Sequence, residues 1–216
     1  GDIAYIAGST SLPTHPGDFQ GWLQVLDISD PTKPTKLAYY EAPGDVNGIA
    51  VVGSHIYLVG DTCSPDFNGW LQTLDVSDPA NASAVSYYER GGEAGDIAVA
   101  PSGDYAYILR ASPSDPALEV FDLHNPSNPT RVGHTDGSHG GGLGEVEVVG
   151  HQTFIARLGI TLFDVSDPIQ PIRRGGYYPS FGHPIGVSAA PAGDHVYVAT
   201  CEGGVHVVNV SEPTNP

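Results

Sequence analysis

The chain has 216 residues, of which 40% are hydrophobic, enough to build the core of one large all-β domain or two small ones and too much for a wholly disordered chain. Eight basic residues face 25 acidic ones, and the resulting formal net charge of −17 repels nucleic-acid phosphates and anionic lipid. No apolar run approaches the ~18 residues needed to span a bilayer, which excludes a helical membrane span in this sequence.

The chain opens at Gly1 directly in strand-like sequence, Asp2-Ile-Ala-Tyr-Ile-Ala7, and we expect its natural ends to be missing. That first Tyr-rich segment predicts a half-buried strand, because aromatic and β-branched residues favour a pleated surface. Its counterparts follow in order as Ile56-Tyr-Leu-Val59, Tyr105-Ala-Tyr-Ile108, Phe154-Ile155 and Val196-Tyr-Val-Ala199. Each precedes a second strand that ends in a small turn and proline. These landmarks read Leu26-Asp-Ile-Ser-Asp-Pro31, Leu74-Asp-Val-Ser-Asp-Pro79, Phe121-Asp-Leu-His-Asn-Pro126, Phe163-Asp-Val-Ser-Asp-Pro168 and Val208-Asn-Val-Ser-Glu-Pro213. A third strand is predicted near Leu37-Ala-Tyr-Tyr40, Val85-Ser-Tyr-Tyr88 and Arg174-Gly-Gly-Tyr-Tyr178. The third unit departs, with Gly133-His-Thr135 in place of the tyrosine pair, so an irregular outer edge is expected there. Short apolar strands close each unit: Gly48-Ile-Ala-Val-Val52, Asp96-Ile-Ala-Val-Ala100, Glu145-Val-Glu-Val-Val149 and Gly186-Val-Ser-Ala-Ala190.

Five tandem units result, approximately 1–48, 49–96, 97–145, 146–186 and 187–216. A lone four-stranded sheet exposes an apolar face, so neighbouring units must stack, and radial stacking gives a β-propeller of four-stranded antiparallel blades. The first unit lacks an innermost strand and the last stops where an outer strand should begin. We therefore expect one propeller domain that is a fragment of a larger ring, of about seven blades.

These residues resemble the LVIVD-repeat family, whose units run as a Tyr-Val-Ala-like strand, a Gly-Leu-x-Val-x-Asp-Val-Ser-Asp-Pro core and a Val-Gly-x-Tyr return strand. The likeness covers nearly the whole chain. It implies a β-propeller of the kind found in bacterial and archaeal surface or secreted proteins, and it implies no single shared activity.

The recurring Asp27, Asp75, Asp122 and Asp164, with Asp30, Asp78 and Asp167 three residues on, raise a calcium-binding repeat as one reading. The spacing fits no Asp-x-Asp-x-Asp-Gly loop, whereas a carboxylate before Ser-x-Pro can accept backbone amides and fix a turn. Positions that break the repeat are better functional candidates. In a propeller the loops leading into the innermost strands share one face with the loops after the Tyr strands. That face should carry Asp45, Asn47, Glu93, Asp96, His139, Glu145 and His183, with Asp18, Asp66 and Glu202 farther out. Such a set can converge on Ca²⁺ or another divalent cation, with Asp96 and Glu145 the candidate ligands, or it can form an acidic, solvated rim. No His-x-His or His-Glu-x-x-His spacing favours the first reading, and no cofactor is predicted.

The loop His134-Thr-Asp-Gly-Ser-His139 runs into Gly140-Gly-Gly-Leu-Gly144 without a following helix to hold a phosphate, so it reads as a flexible loop. Ser138 and His139 lack a Gly-x-Ser-x-Gly elbow. Trp22 and Trp70 occupy equivalent positions, which points to packing. Cys63 and Cys201 fall on non-neighbouring units and predict no disulfide. Two functions follow as expectations. The first is a non-enzymatic extracellular or cell-surface propeller of a prokaryote, presenting its loop-rich face to a protein, glycan or matrix partner. The second is a cation-dependent hydrolase or lyase with its site at the channel mouth.

Overall fold

The structure, a computed structural model, describes residues 2–12, 19–62, 68–110, 117–135, 144–178 and 183–212. All regular elements among them are strands, arranged in five antiparallel sheets. The first sheet holds Ile3–Ser11 (β1), Phe19–Asp27 (β2) and Thr35–Glu41 (β3). The second holds Asp45–Val52 (β4), His55–Asp61 (β5), Gly69–Asp75 (β6) and Ser83–Arg90 (β7). The third contains Ala94–Val99 (β8), Tyr105–Arg110 (β9), Leu118–Asp122 (β10) and Thr130–His134 (β11). Glu145–Val149 (β12), Gln152–Ala156 (β13), Ile160–Asp164 (β14) and Ile172–Tyr177 (β15) make the fourth. The fifth has three strands, Pro184–Ala189 (β16), His195–Thr200 (β17) and Gly204–Asn209 (β18).

Strands neighbour one another in chain order within every sheet, as expected of short hairpin connections. The apolar segments open the sheets rather than close them, so the sheets follow the units 49–96, 97–145 and 146–186 to within a few residues. The apolar segment that closes a repeat pairs with the Tyr-rich strand that follows it, so β4 aligns on β5 and β12 on β13. Two-residue turns at Gly53-Ser54 and Gly150-His151 make those hairpins, and both glycines adopt positive φ, 57° and 59°.

The outer strand of the third sheet is not the exception its sequence suggests. β11 forms, and its register slips once against β10, at Val120/Phe121. The same slip occurs at Val25/Leu26, Thr73/Leu74 and Leu162/Phe163, so a bulge belongs to every outer strand present.

The chain divides into two compact units, residues 1–94 with 126–128, and residues 95–125 with 129–216. In the first, Leu23 and Val25 of β2 pack against Ile56, Leu58 and Leu74 of the second sheet, all fully buried. In the second unit two cores lie on opposite faces of the fourth sheet. Ile155 and Phe163 pack with Tyr107, Leu109 and Val120, while Phe154, Ile160 and Leu162 pack with Val196, Val198, Val208 and Val210. Burial on both faces explains why these strands read as continuous apolar runs. Each fully buried side chain contributes roughly 1.5–3 kcal/mol.

Candidate functional site

The repeated aspartates are consumed in turns. Asp27, Asp75, Asp122 and Asp164 each accept the amide two residues on, from Ser29, Ser77, His124 and Ser166, at 2.8–2.9 Å. Asn209 does the same for Ser211 at 2.9 Å. Asp30, Asp78 and Asp167 repeat the contact one turn later, toward Thr32, Ala80 and Ile169. The amide of Ser29, Ser77 or His124 holds its aspartate below the ordinary range. The Arg174 guanidinium, 2.5 Å from Asp164, brings that carboxyl down to about 2. These groups favour the fold above pH 4, and the contribution is lost as the pH falls through their native values.

The loop-bearing end of the sheets presents two groups of carboxylates, one in each unit, and both are tied to backbone. In the first unit, Asp45 lies opposite Asp61 in register. Asn47 donates to Asp61 Oδ2 at 2.7 Å and to the Ala94 carbonyl at 2.9 Å, and the Ala94 amide donates to Asp61 Oδ1 at 2.7 Å. Ser9, at the place in β1 that Asp61 holds in β5, accepts the Val46 amide at 2.8 Å. In the second unit Asp96 accepts the Val146 amide at 2.9 Å, and Glu145, the corresponding residue of β12, accepts the Val187 amide at 3.0 Å. Within each unit a sheet thus fastens the first residues of the next inner strand. Glu93 and Glu202 are exposed. His183 is exposed as well, its amide donating to Cys201 Sγ at 3.4 Å. His139, Asp18, Asp66 and Cys63 lie outside the described residues. Among those described, no group of three or more His, Cys, Asp or Glu is placed to hold a metal ion.

Asp96 is half-buried beside Glu145 and Glu147, and loss of solvation lifts its carboxyl to about 6, the two amides opposing the shift and the neighbouring glutamates adding to it. The native state therefore binds this proton more tightly than the unfolded chain, and its contribution to stability falls as pH rises from about 4 to about 6. Asp96→Asn keeps an oxygen for the Val146 amide and removes the charge. Relative to the parent, the variant should gain about 2–3 kcal/mol at pH 7.5 and close to nothing at pH 4. Urea denaturation at the two pH values measures this, and an equal effect at both would contradict it.

A buried ion cluster was not foreseen from sequence. Glu119 on β10, 1% exposed, meets Arg131 Nε at 2.7 Å and Arg110 Nε at 3.8 Å, and Arg157 donates to the Arg110 carbonyl. Arg110 is 3% exposed.

The opposite end of the second unit carries a cavity of about 260 Å³ between the third and fourth sheets. Tyr105 and Tyr107 of β9, Ser102, His151 and Ser166 line it, together with Val165 and Pro168. Tyr107 is 1% exposed, and burial, reinforced by Tyr105, pushes its phenol up to about 12. Tyr105 stands edge-on to His124, with ring centroids 5.8 Å apart. None of these residues breaks the repeat conspicuously. The signal available in sequence was the second tyrosine of Tyr105-Ala-Tyr107, which reads as ordinary strand aromaticity.

No curated protein matches the chain. Among solved structures, it is similar to the crystal structure of a functionally unknown protein from Desulfotomaculum acetoxidans DSM 771, with a TM-score of 0.73 at 18% identity over 94% of this chain. The match spans 65% of that protein's length. At this identity the likeness concerns the fold. The family model for the LVIVD repeat matches residues 17–41, 43–89, 91–136 and 188–216. It passes over the fourth sheet, which nevertheless has four strands and the Asp164 turn. With the repeat matched over more than half of its length, the chain belongs to the LVIVD-repeat family.

Proposed function

We propose that the chain is part of a β-propeller of about seven blades that works outside a prokaryotic cell as a non-enzymatic binding module, taking a neutral, hydroxyl-rich ligand such as a sugar ring. The observation that carries this reading is the Tyr105–Tyr107 cavity. It combines aromatic wall, two serine hydroxyls and an imidazole in a space suited to a small ligand rather than a drug-sized one. The net charge of −17 disfavours phosphorylated or otherwise anionic ligands. Protein and matrix partners remain compatible with the loop-rich face. The hydrolase or lyase reading draws no support from Asp96 and Glu145, since each is engaged by an amide of the next sheet.

A glycan array probed with the intact chain, followed by calorimetry on the best neutral sugar, tests the proposal. Binding in the micromolar to millimolar range is expected, weakened about tenfold or more by Tyr105→Ala and unchanged by Glu93→Ala. Absence of any neutral glycan binding, or binding indifferent to Tyr105, would overturn it.

A further inference from the structure

The walls of the Tyr105–Tyr107 cavity belong to the third and fourth sheets, neither of which is the first or the last of the chain, and the backbone ladders reveal that both walls depart from the repeat. Tyr105 lies opposite the landmark residue Asp122, a place held in the other sheets by Ile3, His55, Gln152 and His195. On the facing wall the His151 carbonyl accepts the Val165 amide, and Asp2, Ser54, Asp104 and Asp194 hold that place elsewhere. A phenol and an imidazole thus replace the residues of the other repeats on facing walls of one gap. The cavity of about 260 Å³ is smaller than the roughly 300–1,000 Å³ of drug-sized sites, so one sugar ring enters and a second stays outside.

The hydroxyls of the cavity are few and partly committed. Ser102 Oγ accepts the Asp104 amide at 3.3 Å, which leaves its proton to donate. The Ser166 hydroxyl donates to Asp164, which leaves its oxygen to accept. Ala100, Val165 and Pro168 make an apolar side, with Val165 buried in the core between the two sheets. A hydroxyl pressed against that side loses water and gains no partner, whereas a methyl group gains contact. A plain hexopyranose carries hydroxyls around its whole rim, more than Ser102, Ser166 and His151 can satisfy.

We propose that the cavity takes a neutral 6-deoxyhexose, its methyl group packed on Ala100, Val165 and Pro168, its ring against Tyr105, and its hydroxyls shared among Ser102, Ser166 and His151. This rests on the sugar-binding reading above and narrows it to one class of ligand. Discrimination comes from the apolar side, which accepts the methyl and leaves the corresponding hydroxyl of the parent hexose without a partner.

Calorimetry of the intact chain with matched sugars that differ by a single hydroxyl tests the proposal, L-fucose against L-galactose and L-rhamnose against L-mannose. In at least one pair the deoxy sugar should bind about tenfold tighter than its parent. Val165→Thr keeps the outline of the side chain and puts a hydroxyl on the apolar side, so the preference should shrink to about twofold or less. Far-ultraviolet dichroism checks that the variant is folded, and Ala100→Ser, at a half-buried position, repeats the measurement if it is not. Parent hexoses that bind as tightly as their deoxy partners, an N-acetylhexosamine that binds tighter than either deoxy sugar, or a preference unchanged by the added hydroxyl would each overturn this inference and leave sugar binding standing. Failure of every neutral sugar to bind would overturn both.

Discussion

Replacing Trp70 by alanine is expected to lower stability by about 3–5 kcal/mol, and the same change at Trp22 by less than half as much. The two tryptophans sit in nearly identical segments, Phe19-Gln-Gly-Trp-Leu-Gln-Val-Leu-Asp27 and Phe67-Asn-Gly-Trp-Leu-Gln-Thr-Leu-Asp75, and each lies opposite a glycine, Gly8 or Gly60. Trp70 is 1% exposed in the core shared with Leu23 and Val25. Its Nε1 has no hydrogen-bond partner among the described residues, so truncation removes apolar contact and leaves a cavity without breaking a polar bond. Trp22 is half-buried and donates to Thr10 Oγ1 at 3.1 Å, so alanine there exposes less new surface and opens no enclosed void. Gly60→Ala should match the Trp70 loss, because a Cβ there collides with the Asp45 carbonyl oxygen and comes within 2.8 Å of the Trp70 ring. Urea midpoints for the three variants measure the ranking, and equal losses at Trp22 and Trp70 would contradict it.

The second large effect is expected at Glu119. Leucine at this position removes the buried carboxylate that meets both Arg110 and Arg131, breaking a desolvated ion pair, with a loss of about 3–5 kcal/mol. Changing Glu119 to leucine and Arg110 to methionine together should cost less than Glu119→Leu alone, since the double variant deletes both members of a desolvated pair. Arg131→Ala should be milder, because Arg131 is 31% exposed and water replaces part of what the carboxylate supplied. A single-variant loss below about 1 kcal/mol, or a double variant worse than the single one, would show that the pair is not held at low dielectric.

Much of the local structure is legible in the residues themselves. The Asp-x-Ser turns, and the Asp-x-His turn of the third repeat, follow from a carboxylate two residues before an amide that no ladder claims, and the geometry places the oxygens there in four repeats. The Tyr-rich and landmark strands appear where their β-branched and aromatic content puts them. Which neighbour the inner strand pairs with was not legible, because its apolar run is equally consistent with closing one unit or opening the next, and only the ladder shows β4 on β5 and β12 on β13. Glu119 in Leu118-Glu-Val-Phe121 reads as the polar member of an alternating strand, and its ion pairs come from arginines on β9 and β11. Asp96 and Glu145 read as candidate ligands because sequence shows a carboxylate and not the amide that approaches it from the next sheet.

Composition, the 42–48-residue spacing of the landmark prolines and the turn chemistry together determine an all-β chain of repeated antiparallel sheets, since each depends on residues a few positions apart. Which copy of a repeated residue is buried was decided only by tertiary structure. Trp22 and Trp70, or Phe154 and Tyr197, hold the same place in their repeats, yet Trp70 and Phe154 are enclosed while Trp22 is half-buried and Tyr197 exposed. Solvent exclusion of a sheet face is a property of the neighbouring sheet that covers it, and the residues on that face carry no record of whether the neighbour is there.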